Sequence, residues 1–235
     1  MKDFRRQESF ARRKMRAPMA GAVRLTNDLL RLGVRIVQSK DEHHTTPSRA
    51  AFFLASRMLN EVRCSELLAQ IGYPIQALAL TASAFELAYR AVYLRNDVGR
   101  ATAWATHENL RYSYPKNLLE AVQDYTKASG GTATQGEAVY RNRYQPIAAA
   151  KHANPKALVQ FGFLREGEVL HIFLGPVVEP STIKACKIAL VECNRLLITV
   201  LADLVKYHLP DRISEFDAPL TRIFSRVQKL GLSLQ

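Results

Sequence analysis

A chain of 235 residues, 48% of them hydrophobic, is long enough to bury one substantial core. It carries 33 Lys and Arg against 21 Asp and Glu, a net charge of +12 that suits an acidic partner: nucleic acid, a phosphorylated ligand or an anionic membrane surface. No HExxH, Walker loop, GxGxxG or nucleophile elbow occurs, which argues against a zinc protease, an NTPase, a dinucleotide enzyme and a serine hydrolase, and implies no cofactor.

The N-terminal stretch MKDFRRQESFARRKMRAP places seven basic residues against Asp3 and Glu8 and has no apolar signal core. Residues 1–20 therefore read as a basic arm, either solvated or touching phosphates through residues such as Arg12 and Arg13, ahead of a single helical domain over 21–235. Asp41, Glu42, His43 and His44 put four metal-ligand types in one loop. Adjacent histidines in an extended chain point to opposite sides, so no metal site is assigned.

Helix signals follow in series. Thr46 as cap, Pro47 in the first turn and Gly72 as a left-handed stop predict a long helix, and Pro74 starts the next one after a join too short for anything but an antiparallel pair. The second helix, Pro74 to Asp97, is nearly apolar except for Gln76, Ser83, Glu86, Arg90 and Asp97, which share one narrow stripe. That stripe is either a solvent-facing edge or the lining of a cleft, with Glu86 and Arg90 as its charged pair at i and i+4. Shorter helices are expected from about Gly99 to Asn109 and from Pro115 to Lys127. SGGTATQGE, Ser129 to Glu137, reads as a loop.

The stretch RNRYQPIAAAKHANP, Arg141 to Pro155, carries the densest chemistry. Pro146 should break or kink an incoming helix, and Pro155 should end the next turn so that His152 lies beside its C-terminal carbonyls, where a cation is favoured. The alternative is a functional His152, flanked by Arg141, Arg143 and Lys151 in a set suited to phosphate. Residues 158–174 have a β-hairpin pattern around Arg165 to Glu168. Ser181 to Pro210 then reads as the central buried helix, its apolar runs interrupted by Glu192, Asn194, Arg195 and Asp203, so no transmembrane segment is expected. Its Cys186 and Cys193 read as small buried side chains. Asp211 to Leu230 supplies a final amphipathic helix with Leu220, Ile223, Phe224, Val227 and Leu230 on one side, facing either the core or a second subunit of a homodimer. The expected fold is all-α or mainly α: a helical bundle with long antiparallel helices and a small β-hairpin insertion. With three cysteines in no paired framework and no signal core, the expected setting is reducing and cytoplasmic.

FELAYRAVYL, Phe85 to Leu94, the segment YRNRYQPIAAAKHANP and the long apolar helix near the end together resemble mostly helical proteins grouped around the HEPN superfamily, over roughly Ser48 to Leu209. The resemblance implies a helical bundle, often dimeric, associated with RNA cleavage, nucleotide binding, or toxin and antiphage systems. In catalytic members four to six residues lie between an arginine and the histidine that follows it. Counting back from His152, those positions hold Gln145, Pro146 and Ile147, and Arg143 lies too early.

Three readings therefore stand. The first is a basic helical protein that binds nucleic acid or another polyanion through Arg141, Arg143, Lys151, Arg12 and Arg13. The second is a metal-independent ribonuclease in which His152 transfers protons while Arg143, with Glu86 or Arg90, orients and balances charge. The third is a non-enzymatic oligomeric regulatory protein. The cleft reading further expects the Glu86 and Arg90 stripe to face the kinked Arg141 to His152 segment, with Glu86 and Arg143 in one network.

Overall fold

The computed structural model describes residues 4–39, 45–95, 97–106, 118–152, 163–166, 169–172 and 175–234. The chain is mainly helical. Its first element, α1 (Phe4–Val37), corrects the expectation of an arm over residues 1–20: those residues from Phe4 onward are the first half of a 34-residue helix. Ala11, Met15, Met19, Ala22, Leu25, Leu29, Leu32 and Ile36 recur every three or four residues, and all are buried. One unbroken apolar stripe fixes the whole helix on the core, so the basic residues are carried on its outer side.

Helices α2 (Thr46–Gln70) and α3 (Pro74–Leu94) form the antiparallel pair expected from their short join. Thr45, one residue earlier than expected, caps α2 by accepting from the Ser48 N–H at 3.3 Å. Gly72 ends the turn at φ 79°, where a β-carbon would lie 2.5 Å from the Val177 carbonyl oxygen, while the Val177 N–H donates to the Gly72 carbonyl at 2.9 Å. Both the positive φ and the close approach demand glycine. Gly72→Ala is accordingly expected to lower stability by about 1–3 kcal/mol, measured as a shift in the urea midpoint at constant m.

Short helices α4 (Val98–Ala105), α5 (Leu118–Ala128) and α6 (Ala133–Val139) follow. Helix α6 begins inside the expected Ser129 to Glu137 loop, because Thr132 and Gln135 form a reciprocal capping box that satisfies two backbone donors. A wide turn over Tyr140–Tyr144 leads directly into α7 (Gln145–Lys151). Strands β1 (Phe163–Glu166) and β2 (Val169–Ile172) pair antiparallel with Phe163 opposite Ile172. The rest of the region expected as a hairpin, like the Asp41 to His44 loop, lies outside the described residues.

The centre of the fold is α8 (Pro180–His208), which packs against α1, α2, α3 and the last helix, α9 (Ile213–Leu232). Pro180, not Ser181, opens α8, and Cys186 and Cys193 are both buried in it. Burial raises both thiol pKa values, to about 12 and about 11 respectively, which keeps them inert. On α9, Leu220, Ile223 and Val227 face the core, but Phe224 is 41% exposed and departs from the expected apolar side. None of the described helices is long and apolar enough to cross a membrane.

Candidate functional site

The turn at Tyr140–Tyr144 is a π-turn: the Gln145 N–H bonds to the Tyr140 carbonyl, five residues back, instead of four. Pro146 supplies the cause. A proline ring collides with the carbonyl four residues earlier, here on Asn142, and offers it no N–H, so an ordinary α-turn is strained. Widening the turn by one residue relieves that collision without ending the helix, which is why the expected break at Pro146 is absent and Ala133 to Lys151 is one helical run. The inserted residue also divides the side chains of this run between two neighbours.

Toward α3, Tyr144 and Lys151 both reach Glu86. Lys151 Nζ donates to the two carboxylate oxygens at 2.8 and 2.7 Å, and the Tyr144 hydroxyl donates to Oε1 at 2.8 Å. Burial, followed by the neighbouring Glu86, raises the Tyr144 phenol above its usual range and holds it as a donor. The Tyr144 ring packs on Phe85 and Tyr140 with centroids 4.9 and 5.1 Å away. Arg90, half-buried one turn after Glu86, has its pKa lowered by burial, partly opposed by Glu86.

Toward α8, Arg143 donates through Nε and Nη2 to Glu192 Oε2 at 2.8 and 2.6 Å, and Arg195 Nη1 donates to Oε1 at 2.7 Å. Glu192 is 9% exposed, so two cations share one carboxylate at the edge of the core. The Arg195 guanidinium lies against Gly231 of α9, where a β-carbon would be 2.3 Å from Nη2. Arg143 and Arg195 border a cleft of about 280 Å³ also lined by Tyr89, Thr199, Phe224 and Gln228. It adjoins a groove of about 610 Å³ between α8 and α9, with which it shares Thr199 and Phe224.

The polar stripe of α3 therefore does face the Arg141 to His152 segment, through Glu86. The expected Glu86–Arg143 network does not form: Glu86 takes Lys151 and Tyr144, and Arg143 takes Glu192. Arg141 is exposed on the same run and pairs with Glu137 at 2.6 Å. His152 is the exposed C-terminal cap of α7, its backbone N–H bonded to the Ala148 carbonyl at 3.0 Å. Arg12 and Arg13 are exposed on α1, which contributes nothing to this cleft. Among the described residues no group of three or more His, Cys, Asp or Glu could hold a metal ion.

The chain matches no protein-family model, no curated protein and no solved structure. The HEPN resemblance thus rests on the helix pattern of the sequence alone.

Glu192, Arg195, Tyr89 and Tyr144 are the site residues that sequence reasoning missed. Glu192 and Arg195 did have a signal, since charges inside a long apolar helix need partners wherever that helix is buried. Because Glu86 and Lys151 are each more than a quarter exposed, their pair is worth little: a Glu86→Gln, Lys151→Met double-mutant cycle is expected to give a coupling of about 0.5–1 kcal/mol. The corresponding cycle of Glu86→Gln with Arg143→Gln is expected to be additive within about 0.5 kcal/mol, both read from urea unfolding.

Proposed function

We propose that this helical protein binds a polyanion, specifically nucleic acid, on the outer face of α1. The observation that supports this reading is the sign of that face. From Ser9 to Asn27, α1 contains Arg12, Arg13, Lys14, Arg16 and Arg24 and no acidic residue. All five are exposed, and among the described residues none of the four arginines pairs with a carboxylate. At 100° per residue Arg12, Arg13, Arg16 and Arg24 fall within an arc of roughly 120°, on the side away from the buried stripe, and extend along roughly 18 Å of helix. A merely solvated surface intersperses both signs. The later part of the same helix does so: Arg31 pairs with Asp28 and Arg35 with Glu215.

The segment that sequence reasoning favoured is less suited to phosphate. Arg141 and Lys151 are each matched to a carboxylate of the protein itself, which an incoming phosphate would have to displace, and Arg143 is turned away from them onto Glu192. A ribonuclease reading through His152 draws no support from the two separate networks around Glu86 and Arg143.

Fluorescence anisotropy with labelled single-stranded RNA and duplex DNA at about 50 mM salt tests the proposal. Saturable binding to at least one is the expected result. Binding to neither, or binding only to anionic lipid vesicles, would overturn it.

A further inference from the structure

We infer that the cleft between α3, the π-turn, α8 and α9 is a binding site for a small aromatic anion, a single ring bearing a phosphate, held by Arg143 and Arg195 at its charged end and by Phe224 at its apolar end. This site is built from other elements than the α1 face and does not depend on it.

Charge comes first. Arg143 and Arg195 both border the cleft, and the one carboxylate between them, Glu192, leaves the group with an excess positive charge. Each guanidinium has five N–H donors, of which Glu192 engages two from Arg143 and one from Arg195. Glu192 thus fixes both forks in place while leaving donors for a second anion, an arrangement that pre-orients them before any ligand arrives.

The third polar group points the same way. Tyr89 is 7% exposed and lines the cleft, and its hydroxyl has no hydrogen-bond partner among the described residues. With no neighbour holding it, that hydroxyl is open to a group entering the cleft. Burial raises this phenol to about 12, so it is protonated near neutral pH and available to donate. Its ring is held from behind by Phe85 at 4.5 Å and edge-on by Tyr125 at 5.8 Å, which fixes where the hydroxyl sits.

Size and apolar lining define the rest of the ligand. A dry cavity on the order of 150 Å³ accepts benzene, and this cleft, at about 280 Å³, has room for one ring and its anionic group. Ala88, Val92, Leu196 and Phe224 supply apolar wall. Of these four, Phe224 is the one that the core does not take, left 41% exposed at the junction of the cleft and the adjoining groove. A flat ring laid on it would cover surface otherwise facing water.

Isothermal titration of the full chain with phenyl phosphate tests this site, with inorganic phosphate and phenol as the two halves of the probe. Saturable one-to-one binding of phenyl phosphate is expected, at least tenfold tighter than either half. Phe224→Ala removes a half-open side chain and should leave the fold intact by circular dichroism, yet weaken phenyl phosphate at least fivefold; Arg143→Lys, which keeps a charge for Glu192, should do the same. Arg12→Gln, Arg13→Gln and Arg16→Gln combined should leave this affinity unchanged. Absence of saturable binding, equal affinity for inorganic phosphate, indifference to both cleft variants, or loss of binding in the α1 variant would each overturn the site. Failure of nucleic-acid binding alone would not touch it.

Discussion

Glu192→Ala is expected to destabilise the protein by about 2–3 kcal/mol, because it leaves two guanidiniums facing each other at the edge of the core. In the native chain both donate to this one carboxylate, at 2.6 to 2.8 Å. Removing one partner of a fully buried ion pair costs more, about 3–5 kcal/mol, since the remaining charge stays out of water. Arg143 and Arg195 retain 33% and 27% side-chain exposure, and that partial access to solvent is why the lower figure applies. The arrangement of α9 should also suffer, because Arg195 is pressed against Gly231 and would be repelled by Arg143. Urea unfolding measures the change. A loss below about 0.5 kcal/mol would mean that both arginines reach water unaided and that Glu192 does not order the cleft.

Arg12→Gln, Arg13→Gln and Arg16→Gln combined are expected to weaken nucleic-acid binding by roughly 10²–10³-fold at about 50 mM salt. Each arginine that neutralises a phosphate releases condensed counterions, and the gain from that release is largest when salt is low. All three residues are exposed, on the side of α1 away from the core stripe of Ala11, Met15 and Met19, so their loss should leave the fold unperturbed. Unaltered thermal unfolding of the variant alongside weakened anisotropy would separate a lost contact from a lost structure.

How much of this was legible in the sequence differs from element to element for physical reasons. The α2–α3 pair was readable because its turn chemistry is local: Pro47, Gly72 and Pro74 determine backbone geometry within a few residues. The first half of α1 was hidden by its charge. Its buried stripe is made of Ala11, Met15, Met19 and Ala22, small or flexible residues among many arginines, and composition outweighed a period that was present throughout. The start of α6 carried a complete capping box in Thr132 and Gln135, overlooked beside the two glycines before it. Pro146 announced a disturbance, yet whether a proline breaks a helix or widens it is decided by packing: here Tyr144, Ile147, Ala148 and Ala150 are all buried, which holds the run together.

The site was legible only in part because its contacts are long-range. That Glu86 would meet the Arg141 to His152 segment followed from having one polar stripe and one basic segment to match. Which cation it would meet did not follow, because the π-turn sends Arg143 to α8 and leaves Lys151 and Tyr144 for Glu86. Glu192 lies 49 residues from Arg143, and nothing local marks them as partners.

The most direct test of polyanion binding on α1 is the salt dependence of nucleic-acid affinity, compared between the native chain and the variant lacking Arg12, Arg13 and Arg16. Plotted as log K against log salt, the native line should be steep, and the variant's slope should be shallower by about 2–3, one lost phosphate contact for each arginine removed. Parallel lines would contradict the account, since they would show that the counterions released on binding come from some other surface of the protein.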